Sequence, residues 1–229
     1  MTRIKLCGLS RPCDIEEVNA LRPDYIGFVF APESRRYVTP RQAAELKGLL
    51  APEIAAVGVF VGEAPETVAE LLNSGVIDAA QLHGEENSGY IRQLRQLTDR
   101  PLVQAFRIRT ARDAELAGAS TADYVLLDSG AGTGSVFDWQ LVQRMRRPYF
   151  LAGGLNAENV ESAVKLLRPF AVDVSSGIET DGRKDRSKMA AFVAAVRRAD
   201  AAEETSREAP GASMPYENGG REDLGMSER

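Results

Sequence analysis

The chain has 229 residues, 44% hydrophobic and 27% charged, which supplies ample material for a core and excludes global disorder. Its formal net charge of −5 arises wholly from the segment Asp200 to Arg229, where eight acidic residues face three basic ones, leaving 25 of each sign in the body. A neutral body with no basic stripe excludes a nucleic-acid footprint, and no apolar run approaches the about 18 residues that a membrane span needs. The two cysteines, Cys7 and Cys13, form no C-x-x-C pair and no zinc-type cluster with the single histidine, His83. An amino terminus without a signal-type apolar region adds to this, and the expectation is a reduced, cytoplasmic setting.

Taken in chain order, apolar runs of strand length occupy 3–6, 25–30, 55–61, 77–82, 101–106, 124–127, 148–151 and 170–174. Between them lie helical segments such as 40–50, 65–74, 87–97, 156–167 and 186–198. Their entry signals are Thr39 before Pro40 and Asn156 before Glu158, which supply partners to backbone amides that lack one in the first turn. Val68, Leu71 and Leu72 give one of these helices a single apolar stripe. Near-continuous apolar strands alternating with amphipathic helices imply parallel pairing with helices packed back on the sheet.

Eight such units in about 200 residues favour a closed (β/α)8 barrel of the TIM type, whose site lies at the carboxyl ends of the strands; six would have favoured an open sheet. The barrel domain is expected over 1–199. The polar, aperiodic segment 200–229 is expected to be a disordered tail without assigned function.

The strand tips carry the chemistry. Cys7 closes the run Ile4-Lys5-Leu6-Cys7 immediately before Gly8, and Asp128 closes Asp123-Tyr-Val-Leu-Leu-Asp128 before a glycine-rich stretch. Together they are a candidate base and acid; the competing readings are a buried small hydrophobe for Cys7 and a helix cap or loop carboxylate for Asp128. Cys13, near the start of the first helix, reads as structural. A barrel often holds phosphate between the loops after its seventh and eighth strands, where Gly153, Gly154, Ser175, Ser176 and Gly177 stand. Glycine lets backbone approach a phosphate closely, and the serines add hydroxyl donors. The stretch Gly130-Ala-Gly-Thr-Gly134 lacks the spacing of a dinucleotide fingerprint.

In order and spacing these tips resemble those of the phosphoribosylanthranilate isomerases of tryptophan biosynthesis. The resemblance rests on Lys5-Leu-Cys-Gly8, Gly27-Phe-Val-Phe30, Ser34-Arg-Arg-Tyr-Val38, Val57-Gly-Val-Phe60, Gln81-Leu-His-Gly84, Leu127-Asp128, Gly132-Thr-Gly134, Phe137-Asp-Trp139, Leu151-Ala-Gly-Gly154 and Asp173-Val-Ser-Ser-Gly177. It covers residues 3 to about 198 and implies a barrel enzyme performing an Amadori rearrangement on a small phosphosugar, as a monomer or homodimer, without metal or organic cofactor. By this resemblance Cys7 is the general base and Asp128 the general acid. A thiol needs some depression of its pKa to act as base, whereas the acid must hold a proton and is expected to have a raised pKa. Lys5, two positions before Cys7 and about 6 to 7 Å lower on the strand, is expected to be too far down to help.

The resemblance further assigns Arg36 to the anthranilate carboxylate, with Arg35 as competitor, since a guanidinium fork matches a carboxylate. Gln81 and His83 are placed on the substrate side, although His83 reads equally as a hydrogen-bonded wall residue. Asp173 is either a substrate-side carboxylate or an internal polar group. The stretch 130–134 is read as a lid or phosphate-side loop, with Phe137-Asp-Trp139 anchoring the next helix. Two departures stand out: Glu179-Thr-Asp-Gly-Arg-Lys-Asp185 lacks the family's proline before its glycine, and the tail has no counterpart. Rival readings are the related aldose-phosphate isomerase of histidine biosynthesis, which uses two aspartates, and a non-catalytic barrel that binds a phosphate ligand.

Overall fold

Strands whose side chains are apolar on both faces must be covered on both faces, and the arrangement found satisfies this by closing a ring. The computed structural model describes residues 1–128, 139–143 and 145–208, with side chains described as far as residue 202. Strands β1 (Arg3–Cys7), β2 (Tyr25–Val29), β3 (Ala55–Phe60), β4 (Ala79–Leu82), β5 (Leu102–Arg107), β6 (Tyr124–Asp128), β7 (Tyr149–Leu151) and β8 (Ala171–Val174) form a closed barrel in chain order. All eight neighbours pair in parallel, and β8 meets β1 with Asp173 opposite Lys5. The (β/α)8 architecture read from the alternation is therefore the one observed.

Helices α1 (Pro12–Leu21), α2 (Pro40–Lys47), α3 (Pro65–Asn73), α4 (Ser88–Arg95), α5 (Ala111–Gly118), α6 (Val160–Leu167) and α7 (Arg186–Glu208) surround the ring. The first three open on proline, whose missing N–H costs nothing in a first turn. Thr39 caps α2 as expected: its hydroxyl accepts from the Gln42 amide while the Gln42 side chain accepts from the Thr39 amide. Asn156 acts one turn earlier than expected, accepting from the amides of Glu158 and Asn159 in a turn that precedes α6. Between β6 and β7 the described residues hold a short 3-10 turn, Trp139–Leu141, where the alternation led us to expect a helix. Trp139, Leu141 and Met145 still pack against the core.

Two apolar regions follow from the closed ring. The larger lies between strands and helices, with Leu6, Phe28, Phe60, Leu72 and Phe192 fully buried. The smaller fills the barrel interior around Val103, Leu126, Phe150 and Ala171. There Tyr25, Tyr124, Phe150 and Phe170 pack with ring centroids 5.1 to 5.9 Å apart, mostly tilted or edge-on, and plug the interior near the strands' amino ends. Among the described residues no helix is long and apolar enough to cross a membrane.

The expectation of disorder from residue 200 onward needs correction. Helix α7 runs to Glu208, and Asp200 is 8% exposed, its carboxylate accepting from the Thr2 amide at 2.9 and 3.0 Å and from the Thr2 hydroxyl at 2.8 Å. Acidic composition pointed to solvated chain, but a single tertiary partner retains Asp200 in the fold. Residues 209–229 lie outside the described residues, as do 129–138 with the stretch expected to form a lid. Replacing Asp200 by Ala leaves the buried Thr2 amide without its acceptor, so the unfolding free energy is expected to fall by about 2 kcal/mol in a denaturant titration. Turnover is expected to be unchanged, because Asp200 lies away from the cavity described next.

Candidate active site

The carboxyl ends of the strands surround a cavity of about 480 Å3. Cys7 from β1, Gln81 from β4, Asp128 from β6 and Asp173 from β8 line it, with His83 just beyond β4 and Arg36 in the loop after β2. Gly153, Gly154, Ser175 and Ser176 complete the wall. Ten of the eleven residues singled out in the sequence thus meet in one cavity. The exception is Gly177, which does not line it: a Cβ there would stand 1.9 Å from the Leu155 carbonyl oxygen. Its role is to let the loop after β8 press against the loop after β7, so it shapes the wall from behind.

Two further glycines make room for the polar groups. Gly8 has φ of +81°, and a Cβ on it would meet the Arg36 side chain at 2.4 Å; its absence lets that arginine cross the tip of β1. A Cβ on Gly27 would stand 2.5 Å from the Cys7 sulfur.

Beneath the cavity Lys5 is fully buried, and its Nζ donates to Asp173 Oδ1 at 3.0 Å. A buried ammonium persists only when paired. Burial lowers its pKa, but Asp173 and Cys7 outweigh burial and hold it above the ordinary lysine value. Contrary to the expectation from strand rise, the Lys5 charge does bear on Cys7, pulling the thiol pKa down. Burial nevertheless pushes the Cys7 thiol up, Asp173 adds to that, and the opposing pull of Lys5 and Lys184 does not cancel it. Asp173 is the internal partner of Lys5 and also forms part of the cavity wall.

On the opposite side, His83 Nε2 lies 3.3 Å from Asp128 Oδ2, and Gln81 Nε2 lies 2.7 Å from His83 Nδ1. With the Gln81 amide donating to Nδ1, neutral His83 carries its proton on Nε2, facing Asp128. Gln81 Oε1 is buried and has no hydrogen-bond partner among the described residues. His83 is thus a wall residue and a partner of Asp128 at once.

A second polar cluster joins the loops after β1, β2 and β8. Arg36 donates through Nε and Nη2 to the two oxygens of Glu179 at 2.6 and 2.7 Å. Buried Lys184 donates to Glu179 Oε1 at 2.6 Å and to the Ser175 carbonyl at 2.9 Å, and the Ser175 hydroxyl donates to the Cys7 carbonyl at 3.2 Å. Burial works to raise the Glu179 pKa, but Arg36 and Lys184 override it and hold the carboxyl at about 2. Sequence reasoning missed Glu179 and Lys184. A usable signal was present in Asp181-Gly182: both residues have positive φ, and they turn a two-residue hairpin between β9 (Glu179–Thr180) and β10 (Arg183–Lys184). That hairpin sets Lys184 directly opposite Glu179.

A family profile for N-(5'-phosphoribosyl)anthranilate (PRA) isomerase matches residues 4–195. The chain belongs to this family. It is 47% identical over 207 residues to the N-(5'-phosphoribosyl)anthranilate isomerase of Dechloromonas aromatica, covering 87% of this chain and 98% of that protein. The isomerase of Acetivibrio thermocellus is 44% identical over 214 residues, with 87% and 98% covered. Among solved structures, a phosphoribosyl anthranilate isomerase in complex with reduced 1-(o-carboxyphenylamino)-1-deoxyribulose 5-phosphate superimposes with TM-score 0.78 at 36% identity, covering 86% of this chain and all of that one.

The electrostatics of Cys7 lead to a titration. In ligand-free protein carrying Cys13→Ser, the ultraviolet thiolate absorbance of Cys7 is expected to appear only above the ordinary thiol range, because the folded-state pKa is raised. Lys5→Met removes a group that lowers that pKa and is expected to move the rise to still higher pH. An unchanged titration in Lys5→Met would show that the ammonium does not act on the sulfur.

Proposed function

We propose that this chain isomerises N-(5-phosphoribosyl)anthranilate to 1-(2-carboxyphenylamino)-1-deoxy-D-ribulose 5-phosphate, with Cys7 as general base and Asp128 as general acid. The reaction is that of the family. The assignment of residues rests on one observation: a thiol from β1 and a carboxyl from β6 line the same cavity, whose walls also carry Arg36 and the loops after β7 and β8.

Protonated Asp128 gives its proton to the furanose ring oxygen as the bond from that oxygen to C1' breaks. The anthranilate nitrogen lone pair forms the C1' iminium. The Cys7 thiolate then removes the proton from C2', and the electron pair of that C–H bond forms the C1'–C2' double bond of an enolamine, neutralising the iminium. Loss of the C2' hydroxyl proton and protonation at C1' give the ketone. The iminium is the electron sink, so this scheme routes no step through a metal or organic cofactor.

Burial favours the Cys7 thiol in the empty site, so the base is the thiolate left when that proton passes to solvent water before the substrate binds. The adjacent Lys5 ammonium stabilises the thiolate, and the developing iminium adds a second positive charge on the substrate itself. His83, held by Gln81, orients the Asp128 carboxyl. Gly153, Gly154, Ser175 and Ser176 bind the phosphate, and Arg36 binds the anthranilate carboxylate. Arg35 is the lesser choice because it is exposed, whereas Arg36 is half-buried and fixed. Every proposed group comes from one barrel, so the reading requires no second copy and fits a monomer or a homodimer in the cytoplasm.

Turnover is followed by loss of the fluorescence of the anthranilate glycosylamine. Cys7→Ser and Asp128→Asn are expected to lower kcat by about a thousandfold or more with folding retained, as removal of an acid or base does. Arg36→Ala is expected mainly to raise KM. Turnover of Cys7→Ser at the wild-type rate would remove Cys7 from its role.

A further inference from the structure

The guanidinium of Arg36 is already engaged on one edge. Nε and Nη2 hold both oxygens of Glu179, a residue 143 positions away, in a side-on pair at 2.6 and 2.7 Å. Of the five N–H donors of an arginine, this leaves both hydrogens of Nη1 and the second hydrogen of Nη2, which together make a second bidentate edge. Arg36 lines the cavity and Glu179 does not. Glu179 is itself fixed: its side chain is 7% exposed, Lys184 holds Oε1 at 2.6 Å, and the Asp181-Gly182 hairpin sets Glu179 and Lys184 opposite each other. Its carboxyl is held at about 2, so the clamp stays ionised throughout the neutral range.

From this geometry we infer that Glu179 is a positioning residue for carboxylate recognition, clamping Arg36 so that its free edge faces the aryl carboxylate of the substrate. The inference rests on the proposed pairing of Arg36 with that carboxylate. An unclamped arginine has several rotatable bonds, and ordering it on binding costs affinity; Glu179 removes that cost beforehand. The clamp does not cancel the attraction for the ligand, because Lys184 supplies a second cation to the same carboxylate. The cluster Arg36, Glu179 and Lys184 keeps one net positive charge.

The same cluster reaches the rest of the site. Lys184 donates to the carbonyl of Ser175 at 2.9 Å and to its hydroxyl at 3.3 Å, and Ser175 donates to the Cys7 carbonyl. The aryl end, the loop after β8 and the backbone of the proposed base thus share one network. A role in carboxylate recognition differs from a purely structural one in a measurable way: it must vanish when the substrate has no carboxylate.

The test compares two glycosylamines, the anthranilate substrate and its aniline counterpart lacking the carboxylate, with wild type, Arg36→Ala, Glu179→Gln and the double variant. Glu179→Gln is expected to raise KM for the anthranilate compound about tenfold, the loss of one charge-assisted contact, with kcat little changed. KM for the aniline compound is expected to stay within about twofold of wild type. In the double variant, the KM rise is expected to match that of Arg36→Ala alone, because the two residues act as a unit. Glu179→Asp keeps the charge balance of the buried cluster while shortening the reach, and is expected to show the same selective rise should Glu179→Gln fold poorly. A rise equal for both compounds, or no rise or a fall in KM for Glu179→Gln beside a large rise for Arg36→Ala, overturns the clamp alone. No selective effect of Arg36→Ala itself overturns the pairing of Arg36 with the carboxylate, and the clamp with it.

Discussion

Lys5 and Asp173 meet at the seam where the last strand of the ring pairs with the first, and the rest of the site is built on that meeting. An ammonium with no exposed surface can stay charged only beside an anion, and β8 supplies one 168 residues later in the chain. The same closure brings Ser175 to the backbone of Cys7 and carries the hairpin after β8 over to Arg36. A barrel opened at this seam would lose the floor of its cavity and part Lys5 from Asp173 and Arg36 from Glu179. Parallel closure also explains why residues so distant in sequence share one rim: every strand points the same way, so every carboxyl end is a neighbour of the others.

Lys5 and Asp173 offset one another, whereas Glu179 serves two cations, Arg36 and Lys184, which leaves an excess of positive charge in that cluster. Arg35 adds another cation at the mouth. This excess suits a ligand carrying both a carboxylate and a phosphate. The raised pKa of Cys7 fits the same logic. Burial disfavours a thiolate in the empty site, while Lys5 and the iminium of the proposed mechanism both favour it.

Much of the fold was legible because its causes are local. The eight apolar runs are continuous since both strand faces are buried, and Thr39-Pro40 announces a helix start through chemistry confined to four residues. The proposed site residues were legible because they sit at strand ends, where the ring forces them together. What escaped depends on side-chain reach or on single long-range partners. Strand rise separates the Cα atoms of Lys5 and Cys7, but the rise says nothing of where a flexible lysine places its ammonium. The acidic stretch from Asp200 looked unstructured because composition cannot register the hydrogen bonds from Thr2. Glu179 and Lys184 lay in a segment noted for its missing proline, and its Asp-Gly turn marked the hairpin that pairs them. Gly177 was placed against the phosphate although its constraint is a neighbouring carbonyl, which a sequence does not display.

The central claim is that a sulfur from β1 and a carboxyl from β6 approach one substrate from opposite sides. A crystal structure of this protein with the reduced form of its product bound tests that directly. The expected arrangement has Cys7 Sγ in contact with C2', the Asp128 carboxyl within about 3 Å of the C4' oxygen on the other side, and the phosphate between the loops after β7 and β8. A ligand whose C2' lies away from the sulfur, or one with both residues on the same side, would contradict the account.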